Sequence, residues 1–314
     1  MKVFLAIAGL AVLAALLTFL WASRWSKISR DALIEQYRLE DSRFIEVDGV
    51  ELHVRDVGSG PVVLLLHGHA GNLRMFDDWT DALADAYRVI SFDIPGYGLS
   101  GSDPGGDYSI DRVIDLAIGL MDELGIGRFY AGGTSIGSIS AFRMTSRYSE
   151  HIPALILANA AGLPREPGKG PNQPDPNPFR RLLYKYHFPY GYFETFFERT
   201  WHDPSAAPEA LVRQYYDMAR RVGAQEEGAL SLQQYRTGDP EAVLAGITQP
   251  VLLLWSQSQV LPSDEAQRFM KFLNNAEVEY HGYEKAGHIL PIEAGEASAP
   301  AVRAFLDRLE QAPD

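Results

Sequence analysis

The chain contains no cysteine. That excludes disulfides, thiolate metal ligands and a cysteine nucleophile, and it leaves the redox compartment open. Positive charge is also scarce: 28 Lys and Arg stand against 41 Asp and Glu, a formal net charge of −13. Holding a phosphate backbone requires a basic footprint, so no nucleic-acid partner is expected. The acidic excess reads as solvated surface. The eight histidines show no H-E-x-x-H or similar ligand spacing, so neither a metal nor a cofactor is implied. Gly96, Gly98 and Gly101 satisfy G-x-G-x-x-G literally, but the stretch does not open a helix, so it implies no dinucleotide site. Internal repeats are absent.

What is present is apolar mass: 46% of 314 residues, enough for one large core with an insertion. Val3 to Ala22 is uncharged and almost wholly apolar, long enough to cross a bilayer as a helix. Lys2 precedes it, Arg24, Lys27 and Arg30 follow it, and Trp21 and Trp25 fall where an interfacial belt would lie. No small-x-small cleavage site stands near Leu20-Trp21-Ala22. The expectation is therefore a retained single-pass membrane anchor over residues 1–22, in preference to a cleaved signal peptide. A charged, partly helical juxtamembrane linker follows over residues 23–42. The flanking charges leave the side of the membrane open.

Beyond the linker, Phe44-Ile45-Glu46-Val47 and Glu51-Leu52-His53-Val54 flank Asp48-Gly49, a hairpin signal. The runs after Pro61, at Tyr87–Phe92, Phe129-Tyr130, Leu155–Leu157 and Val251–Leu254 suit strands covered on both faces. Asn72–Asp85 is a helical candidate. Between Ile110 and Leu124 apolar residues recur at helical spacing, and Gly125 ends the run. The predicted fold class is α/β: a doubly wound, mostly parallel sheet of about eight strands. The first part of its core spans 43–162 and the second 250–314. Residues 163–249 lack a buried strand and read as an inserted helical cap. Tyr184, Tyr186, Phe188, Tyr190, Tyr192, Phe193, Phe196, Phe197 and Trp201 cluster there. Most are expected to pack the cap on the core, and a few to line an apolar substrate pocket.

Chemistry concentrates at the joins. Gly133, Ser135 and Gly137 form G-x-S-x-G between a strand and a helix, the pattern of a sharp turn that exposes a nucleophilic serine. His67-Gly68-His69-Ala70 ends the third strand. The backbone N–H groups of His69 and Ile136 are the candidate oxyanion donors, two dipoles aimed at one developing charge. His67 itself is expected to make a structural hydrogen bond. His288, in Ala286-Gly287-His288-Ile289-Leu290-Pro291 after the expected last strand Glu277–Tyr283, can reach the serine as general base and then acid.

With His67-Gly68, the run Asp93-Ile94-Pro95-Gly96-Tyr97-Gly98-Leu99-Ser100, the Ser135 turn and Gly287-His288-Ile289-Leu290-Pro291 in that order, the chain resembles the α/β-hydrolase superfamily. It is most similar to its capped, membrane-anchored esterase and lipase type, over about Phe44 to the C-terminus. In such families Asp93 and the glycines after it shape a loop near the site. Relatives that open epoxides or remove halides carry aspartate at the turn, where this chain has Ser135. The resemblance implies a triad acid shortly after Trp255. There the chain reads Ser256-Gln257-Ser258-Gln259-Val260-Leu261-Pro262, with Gln259 or Ser258 at the acid position. The alternative position after the preceding strand is Asn159, another amide. An amide orients the imidazole but supplies no charge; in a serine protease that exchange lowers turnover about 10⁴-fold. Asp264, Glu265, Glu284 and Glu293 are candidate replacements, Asp264 first by proximity. The expected function is hydrolysis of a small apolar carboxylic ester through an acyl-enzyme on Ser135. The alternatives are C–C bond or amide hydrolysis by the same pair, or a membrane-tethered binding protein that lost the acid. The oligomeric state is open.

Overall fold

The computed structural model describes residues 9–10, 13–14, 16–18, 27–164, 190–256 and 264–311. The chain enters the sheet through a hairpin, β1 (Ser42–Val47) and β2 (Val50–Val57), paired antiparallel. Asp48 and Gly49 both take positive φ, 46° and 78°, as the tight turn between right-twisted strands requires. The apolar runs become β3 (Val62–Leu66), β4 (Arg88–Phe92), β5 (Tyr130–Ser135), β6 (Leu155–Ala160) and β7 (Val251–Ser256), and β8 (Val278–Tyr283) closes the sheet. The order is β1-β2-β4-β3-β5-β6-β7-β8. β2 runs antiparallel to β1 and β4, and every later pairing is parallel.

Alternation along β3 assigns the two faces. Leu64 and Leu66 pack with the helices Ile110–Glu123 and Ile136–Arg147. Val63 and Leu65 face Trp79, Val302, Phe305 and Leu306. The last three belong to the helix Gly295–Gln311, which was not anticipated although its buried residues recur at helical spacing. The stretch 72–85 is also not one helix. Asn72 caps a 3₁₀ turn, Leu73–Phe76, before the α-helix Asp77–Leu83 begins.

Within 163–249 the described residues form the helices Tyr190–Thr200, Glu209–Ala219, Ala224–Gln234 and Pro240–Ala245. Polar ties fix the third of these to the core. Gln234 accepts from Tyr108 N–H at 2.6 Å and donates to Gly106 O at 2.9 Å, and Ser102 Oγ donates to Glu227 at 2.5 Å. An N-terminal arm grips the same region. Ile28 pairs its main chain with Arg220 and Val222, and Tyr37, on the helix Arg30–Tyr37, donates to Asp217 at 2.8 Å. The segment Val3–Ala22 lies mostly outside the described residues. Those of its residues that are described are helical, and Leu10, Leu13, Leu16 and Leu17 are each more than half exposed. No helix among the described residues is long and apolar enough to cross a membrane.

Fully buried Asp93 gathers the loops at the carboxyl ends of the strands. It accepts from Leu73 N–H at 2.7 Å and Leu99 N–H at 2.6 Å, and pairs with His53 Nδ1 at 2.8 Å. Burial pushes its carboxyl up, but His53, His67 and the Leu99 N–H outweigh that and hold it below its ordinary value. A depressed carboxylate contributes stability above its unfolded pKa, and that contribution disappears as pH falls through the folded value. Asp93→Asn, which turns an amide toward main-chain donors, is expected to lower unfolding stability at pH 7 by about 3 kcal/mol in urea titration. The difference from the parent protein should shrink below about pH 4.

Candidate active site

β5 passes into the helix Ile136–Arg147 with no intervening residue, and Ser135 at the join has φ 52°, ψ −122°. Few non-glycine residues adopt such a backbone, and here the packing imposes it. A Cβ on Gly133 would lie 2.6 Å from the Gly137 carbonyl carbon and 2.7 Å from Ser138 N. One on Gly137 would overlap the carbonyl oxygens of Leu66 and His67. Only hydrogen fits at either place, so the helix crosses directly over the end of β3.

That crossing brings the loop after β3 against the serine. A Cβ on Gly68 would stand 3.0 Å from Ser135 Cβ and 3.6 Å from its Oγ. Gly71 N–H closes a turn onto Gly68 O at 3.1 Å, which contains His69. Ile136 is the first residue of its helix, so its N–H has no partner within that helix. The segments carrying both candidate oxyanion donors therefore adjoin Ser135.

His67 is fully buried. Nδ1 donates to Gly68 O at 2.8 Å and Nε2 accepts from Ile94 N–H at 2.9 Å, which fixes a neutral ring. Burial lowers its pKa further than the nearby Asp93 raises it. The His69 ring meets Tyr97 Oη at 2.9 Å through Nδ1. Burial, helped by His67, pushes His69 down to about 4, and burial pushes Tyr97 up to about 12, so both are neutral near pH 7. Beside them lies a cavity of about 20 Å³, walled by Ile94, Tyr97, Tyr108, Ile136, Ser231 and Tyr235. No charged side chain is among its described walls. None of the described aromatics between Tyr190 and Trp201 is among its walls. Phe193, Phe197 and Trp201 are buried in the core cluster on the opposite face, and Tyr184, Tyr186 and Phe188 lie outside the described residues.

His288 follows β8 in a loop held by main-chain contacts. Its N–H donates to Thr200 O at 2.5 Å, at the end of the helix Tyr190–Thr200. Its Nε2 lies 3.0 Å from Ser135 Oγ, and the residue is mostly buried. The structure thus brings together two residues 153 positions apart. The candidate acids fare differently. Gln259, with Ser258, lies outside the described residues. Asp264 is exposed before the helix Glu265–Phe272. Glu265 is buried and pairs with Arg268 at 2.7 Å. Glu293 braces the histidine loop, accepting from Gly287 N–H at 2.7 Å and His202 N–H at 2.8 Å. Asn159 directs its amide to backbone oxygens of that loop, not to the imidazole. No cluster of three or more His, Asp or Glu among the described residues could hold a metal ion.

A family model described as alpha/beta hydrolase fold matches residues 61–295. The 2-hydroxy-6-oxononadienedioate/2-hydroxy-6-oxononatrienedioate hydrolase of Burkholderia vietnamiensis is 30% identical over 288 residues, 85% of this chain and 96% of that protein. Epoxide hydrolase 3 of Siraitia grosvenorii is 32% identical over 128 residues, but the match spans only 39% of this chain and 40% of that protein. Among solved structures, a bacterial membrane phospholipase A superposes with a TM-score of 0.72, over 99% of this chain and 100% of that one. At 23% identity this is a likeness of fold.

The glycine crossing is directly testable. Gly137→Ala forces its methyl into the β3 carbonyls, which are main chain and cannot yield. The variant is expected to melt well below the parent protein or to accumulate as insoluble chain; an unchanged Tm by calorimetry would contradict the packing described.

Proposed function

The chain belongs to the alpha/beta hydrolase fold family, and we propose that it hydrolyses carboxylic esters through an acyl-enzyme on Ser135. The observation that carries this reading is the 3.0 Å approach of His288 Nε2 to Ser135 Oγ at a strained strand-to-helix turn. His288 accepts the serine proton as Oγ attacks the ester carbonyl, and the N–H groups of His69 and Ile136 receive the oxyanion. His288 then returns the proton to the departing alkoxide. Water, activated by the same ring, attacks the acyl-serine and regenerates the hydroxyl.

A second reading is C–C bond hydrolysis, favoured by the identity with the Burkholderia vietnamiensis hydrolase, whose name describes a dicarboxylate substrate. Epoxide opening has less support, because the turn carries Ser135 where that chemistry uses aspartate. We further propose that residues 3–22 tether the protein to a membrane. The exposed leucines of that segment and the seating of Ile28 beside the cap support this placement.

A fluorophosphonate probe is expected to label Ser135, and short nitrophenyl esters to be turned over. Ser135→Ala and His288→Ala should each lower turnover by on the order of 10³ or more. A folded protein that neither labels nor hydrolyses sinks the enzyme reading and leaves a binding protein. Amide and C–C substrates assayed in parallel separate the remaining reactions. For the tether, removal of residues 1–22 is expected to abolish detergent dependence and vesicle co-sedimentation; vesicle binding that persists unchanged places the membrane contact elsewhere.

A further inference from the structure

Asn159 is fully buried at the end of β6, in the left-handed region with φ 42°. The sheet shifts register here, so that Ser135 pairs with Ala160. Two residues on from Asn159, Ala161 N–H donates to Ser135 O at 3.2 Å and meets Ser138 Oγ at 3.1 Å. The Ser138 hydroxyl in turn donates to Ser135 O. The main chain of this segment is therefore bonded to the nucleophile's backbone.

The Asn159 side chain points the other way, to the base. Nδ2 lies 2.9 Å from His288 O, 3.0 Å from Gly287 O and 2.6 Å from Ser256 Oγ, three acceptors that share its two hydrogens. Oδ1 accepts from Ser256 N–H at 2.9 Å, and the Ser256 hydroxyl donates to Gly287 O. Two carbonyl oxygens can only accept, so the atom facing them must be a nitrogen. One residue thus needs an acceptor on one side and a two-hydrogen donor on the other, at a positive φ that asparagine tolerates. A carboxylate of identical shape would face both carbonyls with negative charge and no proton. The amide that looks, in the sequence, like a lost acid is the group this geometry demands.

We propose that Asn159 is a positioning residue that sets the separation of Ser135 and His288, because the segment 159–161 bonds the backbone of one and, through the amide, the backbone of the other. The proposal rests on the ester-hydrolase reading for its kinetic test, and a second readout frees it from that reading. In Asn159→Asp the histidine loop withdraws from the carboxylate. On a nitrophenyl ester at pH 8, kcat is expected to fall about 10–100-fold while KM changes by less than about threefold, the scale set by misplacing a base by an ångström. The loss should narrow toward lower pH, where protonation returns a donor hydrogen to the carboxyl group. Independently of turnover, the His288 imidazole resonances in ¹H–¹⁵N spectra should shift and titrate differently from those of the parent protein. If Asn159→Asp does not fold, Ser256→Ala removes only the hydroxyl link, and the expected loss is about three- to tenfold in kcat, with the same displacement of the His288 signals. Parent-like kcat, pH profile and His288 resonances in the folded variants overturn the proposal. An inactive parent protein overturns the ester reading alone, and the resonances then decide the role of Asn159.

Discussion

Everything at the candidate site depends on one close approach: the helix that follows Ser135 crosses the end of β3 with only a hydrogen at Gly137 between it and the carbonyls of Leu66 and His67. The crossing leaves no room for a relaxed loop, so Ser135 takes up the strain itself, and its side chain is lifted out of the sheet. The same contact presses the turn at Gly68 against Ser135. The strained turn at Ser135 and the seating of the Gly68 loop beside it are two consequences of a single packing event.

Polar groups then fix what packing alone would leave adjustable. Asp93 joins the starts of two loops and a histidine from β2 in one buried network. His67 bonds its own loop to Ile94 on the loop after β4. Asn159, Glu293 and Thr200 hold the main chain of the His288 loop. Low local dielectric strengthens each of these bonds and penalises any that is left unmade. The result is a histidine whose loop is held from three separate elements of the chain.

The segment 190–245 is more than a run of aromatic residues. Its aromatic helix Tyr190–Thr200 is anchored in a core cluster, while the helix that reaches the cavity, Ala224–Gln234, presents Ser231 and is tied down by Gln234 and Glu227. The N-terminal arm is bonded to the same segment through Ile28 and Tyr37. The cavity that Ser231 and Tyr97 help to line is water-sized, at about 20 Å³, and no charged side chain is among its described walls.

Local patterns were enough for much of this. The Asp48-Gly49 turn, the apolar strands, the helix after Ser109 and the glycine spacing around Ser135 are each set by neighbours within a few residues, so their physics is written in short windows. The order of serine and histidine along the chain was legible for the same reason. The 3.0 Å meeting of Ser135 with His288 is not local; it follows from strand order, which places β5 and the end of β8 around a shared rim. The helix Gly295–Gln311 carried a readable period, obscured by Pro300 and by small residues in its first turns. What no window could disclose is direction. In the sequence Asn159 reads as an amide at a possible acid position and Glu293 as a spare carboxylate, yet both turn toward backbone groups. The sequence by itself determined which groups are available. Only the tertiary structure decided which atoms they meet, because a side chain's partners come from elements that are distant in the chain and adjacent in the sheet.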